Sequence, residues 1–406
     1  MKALLDGRSL AHALLMFLSD HSPDRIAGEG LEALVAGFPE PSRILCLGKA
    51  APALARAAAR FWPGVPGLLY GTAREGEVPR NFVELYGDHP FPTSHNVKST
   101  AYVERWVEGG EGPMLACLSG GGSSLLVHPR EPWSLAEKTA VCAEMWSKGA
   151  AIRELNAVRA RLSEVKGGGL RRRAGKWPVA TAIWSDVGPR NGMLVSSAPT
   201  LPMDLGRLAG RALARYGVAI PRPLPRHRRP EVRQEGDRWT VIYDALQLRR
   251  ELAMVLAAQQ LHVGEVPCRE GAAAAVVARA LRRMANESEG GVSQAFVGVG
   301  EVRVDASGKS GRGGRCTHLA AEVAMQFSRK SFRGRWAFAA IATDGVDGAA
   351  GGGAWVDKDC LPGEVALHEA IASCDTGSLW DGAGTLLPGK PTGNNLRDLW
   401  VLTVRP

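Results

Sequence analysis

Hydrophobic residues along the chain follow two alternating patterns. Short aliphatic runs, each followed by glycine or a polar turn, occupy residues 44–47, 114–118, 179–184, 295–299 and 337–342. Longer segments with apolar residues at helical spacing occupy residues 50–61, 135–165, 246–260, 271–286 and 316–329. The short runs are typical of buried parallel strands, and the longer segments predict helices. This alternation predicts a layered α/β fold.

The length of the chain and one unusual segment suggest a division into two domains. A chain of 406 residues is long for a single domain. Residues 221–237 are rich in proline and arginine, which is typical of an exposed, stiff connector. We therefore expect an N-terminal α/β domain over residues 1–225 and a smaller C-terminal α/β domain over residues 238–406.

Composition excludes several classes of protein. The net charge of +9 comes partly from arginine runs that lack interleaved aromatic residues, which favours a solvated linker or an anion-attracting rim over nucleic-acid binding. The seven cysteines include no Cys-x-x-Cys pair, as expected in a reducing cytosol without a zinc site. No apolar run reaches the roughly 18 residues of a membrane span. We expect a cytoplasmic enzyme that binds neither membranes nor nucleic acid.

Polar residues that follow the predicted strands are candidates for the chemistry. Ligands of open parallel sheets bind beyond the carboxyl ends of the strands. Lys49 follows the first run, and Asp186 follows the third. A lysine at a helix start is favourable when an anion is bound there, and a carboxylate can hold Mg²⁺ or accept a proton. A surface lysine and a helix-capping aspartate are the alternatives.

Two glycine-rich segments could bind an anion through backbone amides. The first, after the second run, consists of Ser119, Gly120, Gly121, Gly122 and Ser123. It matches neither common nucleotide-binding glycine motif, and many such loops are only tight turns. The second contains Gly313 and Gly314 before Arg315, at the start of a predicted helix.

Two further sets of polar residues are candidates. Asn156, Arg159, Ser163 and Lys166 recur at helical spacing beside an apolar stripe, which suits an anionic substrate or a solvated face. Asp344 and Asp347 follow the last run, in a loop without the full calcium-binding pattern.

Together these motifs resemble the glycerate 2-kinases of the MOFRL type, in their order and over nearly the whole chain. The resemblance rests on Gly48-Lys49-Ala50, the Ser119–Ser123 loop, the segment from Asn156 to Gly168, Ser185-Asp186-Val187, Gly313-Gly314-Arg315 and the Thr343–Gly348 loop. The closing Thr392-Gly393-Asn394-Asn395 with Asp398 is similar to the C-terminal signature of that family.

The resemblance implies a specific activity and architecture. It implies ATP-dependent phosphorylation of D-glycerate at the 2-hydroxyl, an N-terminal Rossmann-like domain, and a cleft where the two domains meet. Lys49, Asp186 and Arg315 are then the expected catalytic residues, with ATP and Mg²⁺ as cofactors and Asp186 as the expected metal ligand. The expected substrate- and phosphate-binding residues are Ser119, Gly120, Gly121, Gly122, Ser123, Asn156, Arg159, Lys166, Glu301, Gly313, Gly314, Asp344 and Asp347.

Some positions differ from the family pattern, and they leave alternatives open. The sequence of this chain departs from the family pattern at or near Arg190, Ala198 and Gly351. The alternatives are a divergent member with another hydroxy-acid substrate or weak catalysis, and a hydroxypyruvate reductase. The reductase would need a nicotinamide cofactor, and no G-x-G-x-x-G motif follows the first strand. A homodimer remains open.

Overall fold

The structure is a computed structural model, which describes residues 6–187, 189–203, 206–226, 235–267, 271–288, 292–329 and 332–406. It divides into two compact units. The first unit is Pro23–Asp244, and the second combines Met1–Ser22 with Ala245–Pro406. Helix α1 (Gly7–Asp20) thus belongs with the C-terminal part of the chain, which the ranges expected from sequence do not anticipate. Part of the proline- and arginine-rich connector, residues 227–234, lies outside the described residues.

The first unit contains a six-stranded, fully parallel sheet. Its strands are β1 (Arg43–Leu47), β2 (Gly67–Gly71), β3 (Phe82–Tyr86), β4 (Met114–Ser119), β5 (Val179–Ser185) and β6 (Arg238–Asp244). Their order is β3-β2-β1-β4-β5-β6, the order of Rossmann-type sheets. The direction of strand addition therefore reverses between β1 and β4.

The helices of the first unit lie before β1 and in four of the five connections between its strands, whereas the described β2–β3 connection contains no helix. They are α2 (Pro23–Val35), α3 (Ala51–Phe61), α4 (Ser94–Glu108), α5 (Gly122–Leu125), α6 (Leu135–Ser147), α7 (Ile152–Arg161), α8 (Gly169–Arg173) and α9 (Gly206–Arg215). A 3₁₀ segment spans Pro189–Ser197. Every residue of β1, β2, β4 and β5 is buried, which explains why these strands have continuous apolar runs.

The single long helix expected over residues 135–165 is wrong. Gly149 adopts φ +76°, and Ala150 donates its amide to the carbonyl of Met145, which ends α6. Helix α7 then begins, and it ends at Arg161. Ser163 and Lys166 therefore follow α7 and do not share a helix face with Asn156 and Arg159.

The second unit contains a mixed six-stranded sheet. Its strands are β7 (His262–Glu265), β8 (Gln294–Gly300), β9 (Arg335–Ala342), β10 (Gly353–Asp357), β11 (Leu386–Leu387) and β12 (Asp398–Arg405), in the order β11-β10-β9-β12-β8-β7. The runs at 295–299 and 337–342 were expected to be strands of a parallel sheet, and this expectation is wrong. They form β8 and β9, and β12 lies between them and pairs antiparallel with both. Only the β7–β8 pair is parallel in the described sheet.

The second unit also contains helices α10 (Ala245–Ala258), α11 (Ala274–Asn286), α12 (Arg315–Arg329), α13 (Glu364–Ser373) and α14 (Thr376–Gly382). Among the helices that the structure describes, none has both the length and the apolar character needed to cross a bilayer.

Candidate active site at the strand-order reversal

The candidate site begins where β1 and β4 end side by side. At such a reversal the two connections leave the sheet on opposite faces, and a crevice opens beyond the strand ends. Gly48 follows β1 with φ +116°, and a Cβ atom there would lie 2.3 Å from Ser119 Oγ. Lys49 donates its amide to the Gly120 carbonyl (2.8 Å), and Ala50 donates its amide to Ser119 Oγ (3.0 Å). These two hydrogen bonds join the segment that carries Lys49 to the Ser119–Ser123 loop.

Lys49 extends over the glycine-rich loop. Gly121 adopts φ +87°, and a Cβ atom there would lie 3.0 Å from Lys49 Cγ and 3.5 Å from His89 Cδ2. Glycine at this position therefore allows the lysine side chain to approach the loop backbone closely. Asp186 directly follows β5, the strand beside β4, so it lies at the same edge of the sheet.

A hydrogen-bond chain connects this loop with helix α7. Ser123 Oγ and Ser197 Oγ are 2.7 Å apart, and Ser197 Oγ donates to Asn156 Oδ1 (3.0 Å). The same oxygen accepts a bond from Arg159 Nη1 (3.3 Å), and Asn156 donates to the Leu194 carbonyl (3.0 Å). Asn156 is only 1% exposed. Its observed role is to position Ser197 and Arg159.

The backbone beside Asn156 is strained. Ser196, Ser197 and Ala198 have φ values of 53°, 60° and 53°, which is the left-handed region that side chains disfavour. Ser196 donates its hydroxyl to the carbonyl of Ser119 (2.7 Å), and so ties this segment to the glycine-rich loop. Such conformations persist where surrounding contacts enforce them, and they cluster at functional sites.

A cavity of about 520 Å³ adjoins the loop. One face of α6 forms a wall of it, through Leu135, Lys138, Thr139, Cys142, Ala143 and Trp146. The remaining lining residues are Pro90, Phe91, Pro92, Ser123, Ser124, Val127, Arg159 and Lys166. None of these described lining residues carries a carboxylate, whereas three carry a cation.

The positive charges of these three side chains are not balanced by a carboxylate in the described part of the cavity. Lys138 is 5% exposed, and its Nζ has no hydrogen-bond partner among the described residues. Lys166 Nζ donates to the carbonyls of Ser123 (2.7 Å) and Leu126 (2.9 Å). Burial lowers the pKa of Lys138 to about 8, and the positive charge of Arg159 contributes to this. Buried cations without counter-ions are costly unless an anion binds to them.

Burial also depresses the pKa values of the other two cations. The pKa of Lys166 is well below its usual value because of burial and the nearby charges of Lys138 and Arg159. Burial lowers the pKa of Arg159 as well. The cavity thus combines three cations with no carboxylate among its described lining residues, which is chemically suited to an anionic group.

Arg315 and Glu301, two of the expected site residues of the second unit, form an ion-pair cluster with Asp398. Arg315 donates Nε and Nη2 to the two carboxylate oxygens of Asp398 (2.8 and 3.2 Å), and Nη2 lies 3.2 Å from Glu301 Oε1. Asp398 is buried, and burial raises its pKa to about 7 against the opposing charge of Arg315. The Arg315 guanidinium is thus held in a fixed orientation and is partly exposed.

Asp347 performs a structural task. Its carboxylate accepts the amides of Cys316 (2.9 Å) and Thr317 (2.8 Å), and so caps the start of α12. A Cβ atom on Gly314 would lie 2.2 Å from Asp347 Cγ, and one on Gly313 would lie 2.4 Å from the Cys374 carbonyl. Both glycines are therefore required by packing. Asp344 accepts the amide of Val346 (3.1 Å) in the same loop.

The residues available for Mg²⁺ are few. Among the described residues, no group of three or more His, Cys, Asp or Glu side chains is placed to hold a metal ion. Mg²⁺ in nucleotide sites commonly takes one or two carboxylates and fills its other positions with phosphate oxygens and water. Asp186 at the strand edge fits that mode as the single protein carboxylate.

Sequence reasoning missed Lys138, Ser196 and Ser197. A signal for Lys138 was present, since it interrupts the apolar stripe of α6 at a position where leucine or valine is usual. No sequence signal indicated the two serines, because their conformation is set by tertiary contacts. The side chain of Arg190, where the chain differs from the family pattern, lies outside the described residues.

Comparisons with known proteins agree with the division into two parts. Residues 23–227 match the DUF4147 family, described as a domain of unknown function, and residues 294–398 match the MOFRL family. A protein of Agrobacterium vitis that carries a provisional hydroxypyruvate reductase name is 32% identical over 92% of this chain and 90% of its own length. The D-glycerate 2-kinase of Thermotoga maritima is 29% identical over 93% of this chain and 94% of its own length.

A solved structure supports the fold. The crystal structure of a glycerate kinase from Thermotoga maritima superposes with a TM-score of 0.79 at 24% identity, covering 98% of this chain and 100% of that chain. The expected architecture of two α/β domains is confirmed. The chain therefore belongs to the family that combines a DUF4147 domain with a MOFRL domain, and it is a homologue of the glycerate kinases.

Proposed function

We propose that this protein is an ATP-dependent kinase that phosphorylates D-glycerate, or a related 2-hydroxy acid, on the 2-hydroxyl. One arrangement carries the proposal. The segment with Lys49 is hydrogen-bonded to the glycine-rich loop, and this loop adjoins a cavity that has three cations and no carboxylate among its described lining residues. Such a site suits an acidic acceptor next to a phosphate-binding loop.

The roles follow from the demands of phosphoryl transfer, in which the protein mainly positions groups and neutralises charge. Bound Mg²⁺–ATP supplies the phosphoryl group. Lys49 neutralises charge on that group, and the Ser119–Ser123 loop donates backbone amides to it. Asp186 accepts the proton of the 2-hydroxyl or holds Mg²⁺. Arg159 and Lys166 bind the carboxylate of the acceptor.

The roles in the second unit rest on the family resemblance. Arg315 is assigned to the phosphoryl group, and its ion pairs with Asp398 and Glu301 keep the guanidinium oriented. Gly313, Gly314, Asp344 and Asp347 then shape the loop that carries Arg315.

The direct test is coupled ADP release with D-glycerate, with identification of the 2-phospho product. Lys49→Ala should lower kcat by about 10²–10³, the usual effect of removing one group that stabilises transition-state charge. Lys98→Ala, which removes an exposed lysine of the same unit, serves as the control and should leave kcat unchanged. Absence of ADP release across a panel of 2-hydroxy acids would contradict the proposal.

A hydroxypyruvate reductase is the second candidate, because an Agrobacterium vitis relative carries that name and the strand order is that of dinucleotide-binding sheets. NADH oxidation with hydroxypyruvate, measured on the same preparation, distinguishes the two. Turnover in this assay without ADP release in the first would favour the reductase.

A third candidate is a divergent kinase in which Arg190 weakens Mg²⁺–ATP binding. Like charges a few ångströms apart repel by about 1–4 kcal/mol at effective dielectric constants of 80 to 20. Tighter Mg²⁺–ATP binding by Arg190→Asp than by the native protein would support this candidate, and equal Mg²⁺ dependence would exclude Arg190 from the metal site.

A further inference from the structure

The cavity beside the glycine-rich loop has two chemically different parts. Lys138, Arg159 and Lys166 bring positive charge to it, and Ser123 and Ser124 connect it with the loop. Its other lining residues are mostly apolar, and two of them, Phe91 and Trp146, are 69% and 64% exposed. Large aromatic side chains exposed at a cavity commonly contact an apolar part of a ligand.

The size of the cavity exceeds the needs of a three-carbon acid. At about 520 Å³ it lies within the roughly 300–1,000 Å³ typical of sites for drug- and cofactor-sized ligands. Glycerate is also polar along its whole length, so it leaves Leu135, Val127 and the aromatic side chains without an apolar partner.

Lys138 is the group that most clearly lacks a partner. It lies on the cavity face of α6, where Leu135, Cys142 and Trp146 continue an apolar stripe. Its Nζ is buried without a hydrogen bond to any part of the chain that the structure describes, and neither Arg159 nor Lys166 can neutralise its positive charge. The carboxylate of a ligand would satisfy Lys138 and relieve repulsion among all three cations.

We propose that the cavity is the acceptor site and that it binds a 2-hydroxy acid with a bulky apolar substituent, whose carboxylate pairs with Lys138 in addition to Arg159 and Lys166. The inference rests on the proposed kinase function, which supplies the 2-hydroxy acid class. The substituent packs against Phe91 and Trp146 and the apolar residues between them. Lys138 is thus a substrate-binding residue, and the aromatic pair determines specificity.

The test is calorimetric titration of the full chain, without ATP, using 3-phenyllactate and D-glycerate as ligands. Burying a phenyl group should make Kd for 3-phenyllactate at least about tenfold lower than Kd for glycerate. Trp146→Ala should remove most of this preference and leave glycerate binding unchanged. Equal Kd values for the two acids in the native protein would overturn the proposal.

The role of Lys138 is tested with matched variants. Lys138→Met should raise Kd for 3-phenyllactate at least about tenfold, because a charged hydrogen bond is lost. Lys148→Met removes the exposed lysine at the end of the same helix and should change nothing. The uncharged amide of 3-phenyllactate should bind the native protein and Lys138→Met equally. An unchanged Kd for 3-phenyllactate in a folded Lys138→Met protein would overturn the assignment.

Two further outcomes separate this inference from the proposed function. Tight, Lys138-dependent binding of 3-phenyllactate without turnover of any hydroxy acid would contradict the kinase function and leave the binding site standing. Competition between ADP and 3-phenyllactate for the cavity would instead assign it to the nucleotide and overturn the inference.

Discussion

At the scale of single residues, Lys138 shows how binding chemistry opposes stability. A lysine placed in an apolar helix stripe costs free energy when it is charged and unpaired. Asp398, in contrast, is buried with a bidentate arginine partner. Because residues that conflict with local folding rules concentrate at functional sites, the unpaired lysine is the more informative of the two.

Replacing Lys138 should stabilise the ligand-free protein. The pKa of Lys138 is about 8 in the folded protein, below its usual 10.5. The unfolded chain therefore binds more protons between these values, so stability rises with pH across that window and the full penalty applies below pH 8. Lys138→Met should raise the free energy of unfolding at pH 7 by on the order of 3 kcal/mol.

Urea unfolding of Lys138→Met and the native protein at pH 7 and pH 10 measures this effect. The difference between the two proteins should shrink at pH 10, where the native lysine is neutral. Lys148→Met is the control and should match the native protein within about 0.5 kcal/mol. Destabilisation by Lys138→Met at both pH values would contradict this account.

Anion affinity of the cavity should fall as pH rises through about 8. The groups that face Lys138 are Arg159, Lys166 and Cys142. A bound carboxylate favours the protonated lysine against the effects of burial and of the charge of Arg159, which lower its pKa. Binding should therefore take up protons near pH 8. Titrations in two buffers of different ionisation enthalpy report this uptake, and affinity that is constant from pH 7 to pH 9 would contradict it.

At the scale of elements, the sequence predicts what local patterning controls. The continuous apolar runs of β1, β4 and β5 appear where expected because both faces of these strands are buried. The strands β8 and β9 show the same pattern, so their antiparallel pairing with β12 was not predictable from it. The break between α6 and α7 depended on the φ of a single glycine, Gly149.

In the candidate site, too, local sequence patterns predict some features and not others. The positions of Lys49 and the Ser119–Ser123 loop follow from strand ends, which the sequence marks with glycine. The hydrogen bonds that join Ser123, Ser197 and Asn156 link residues far apart in the chain, and no local pattern encodes them. The corrected range of α7 also moves Lys166 off the helix, yet tertiary packing still places it in the cavity.

Asp347 allows a test of helix capping against ligand binding. Because its carboxylate accepts two amides at the start of α12, Asp347→Ala should lower the free energy of unfolding by about 1–2 kcal/mol. Asp347→Asn keeps one acceptor oxygen and should lose less. Asp359→Ala, an exposed aspartate of the same unit, is the control. A raised KM for ATP with unchanged stability would instead assign Asp347 to the nucleotide.

At the scale of the whole molecule, the described chain consists of two compact units, and the second is assembled from both ends of the sequence. Asp357 at the end of β10 accepts the amide of Gly7 (2.8 Å), and Asn394 donates its side-chain amide to the carbonyl of His21 (3.0 Å). Helix α1 is thus fixed at both ends by residues more than 300 positions away. Its buried face consists of Gly7, Leu10, Ala11, Leu14, Phe17 and Leu18.

This arrangement predicts that damage to α1 destabilises the second unit selectively. Leu14→Ala removes a fully buried side chain, which should cost about 2–5 kcal/mol. Met16 is 52% exposed on the same helix, so Met16→Ala is a matched control with little expected effect.

Amide hydrogen exchange on the full chain distinguishes the two units, because it reports the free energy of local opening at each amide. Leu14→Ala should speed exchange in β9 and β10, against which α1 packs, and leave β1 and β4 as slow as in the native protein. Equal acceleration in all four strands would show that the chain unfolds as one cooperative body.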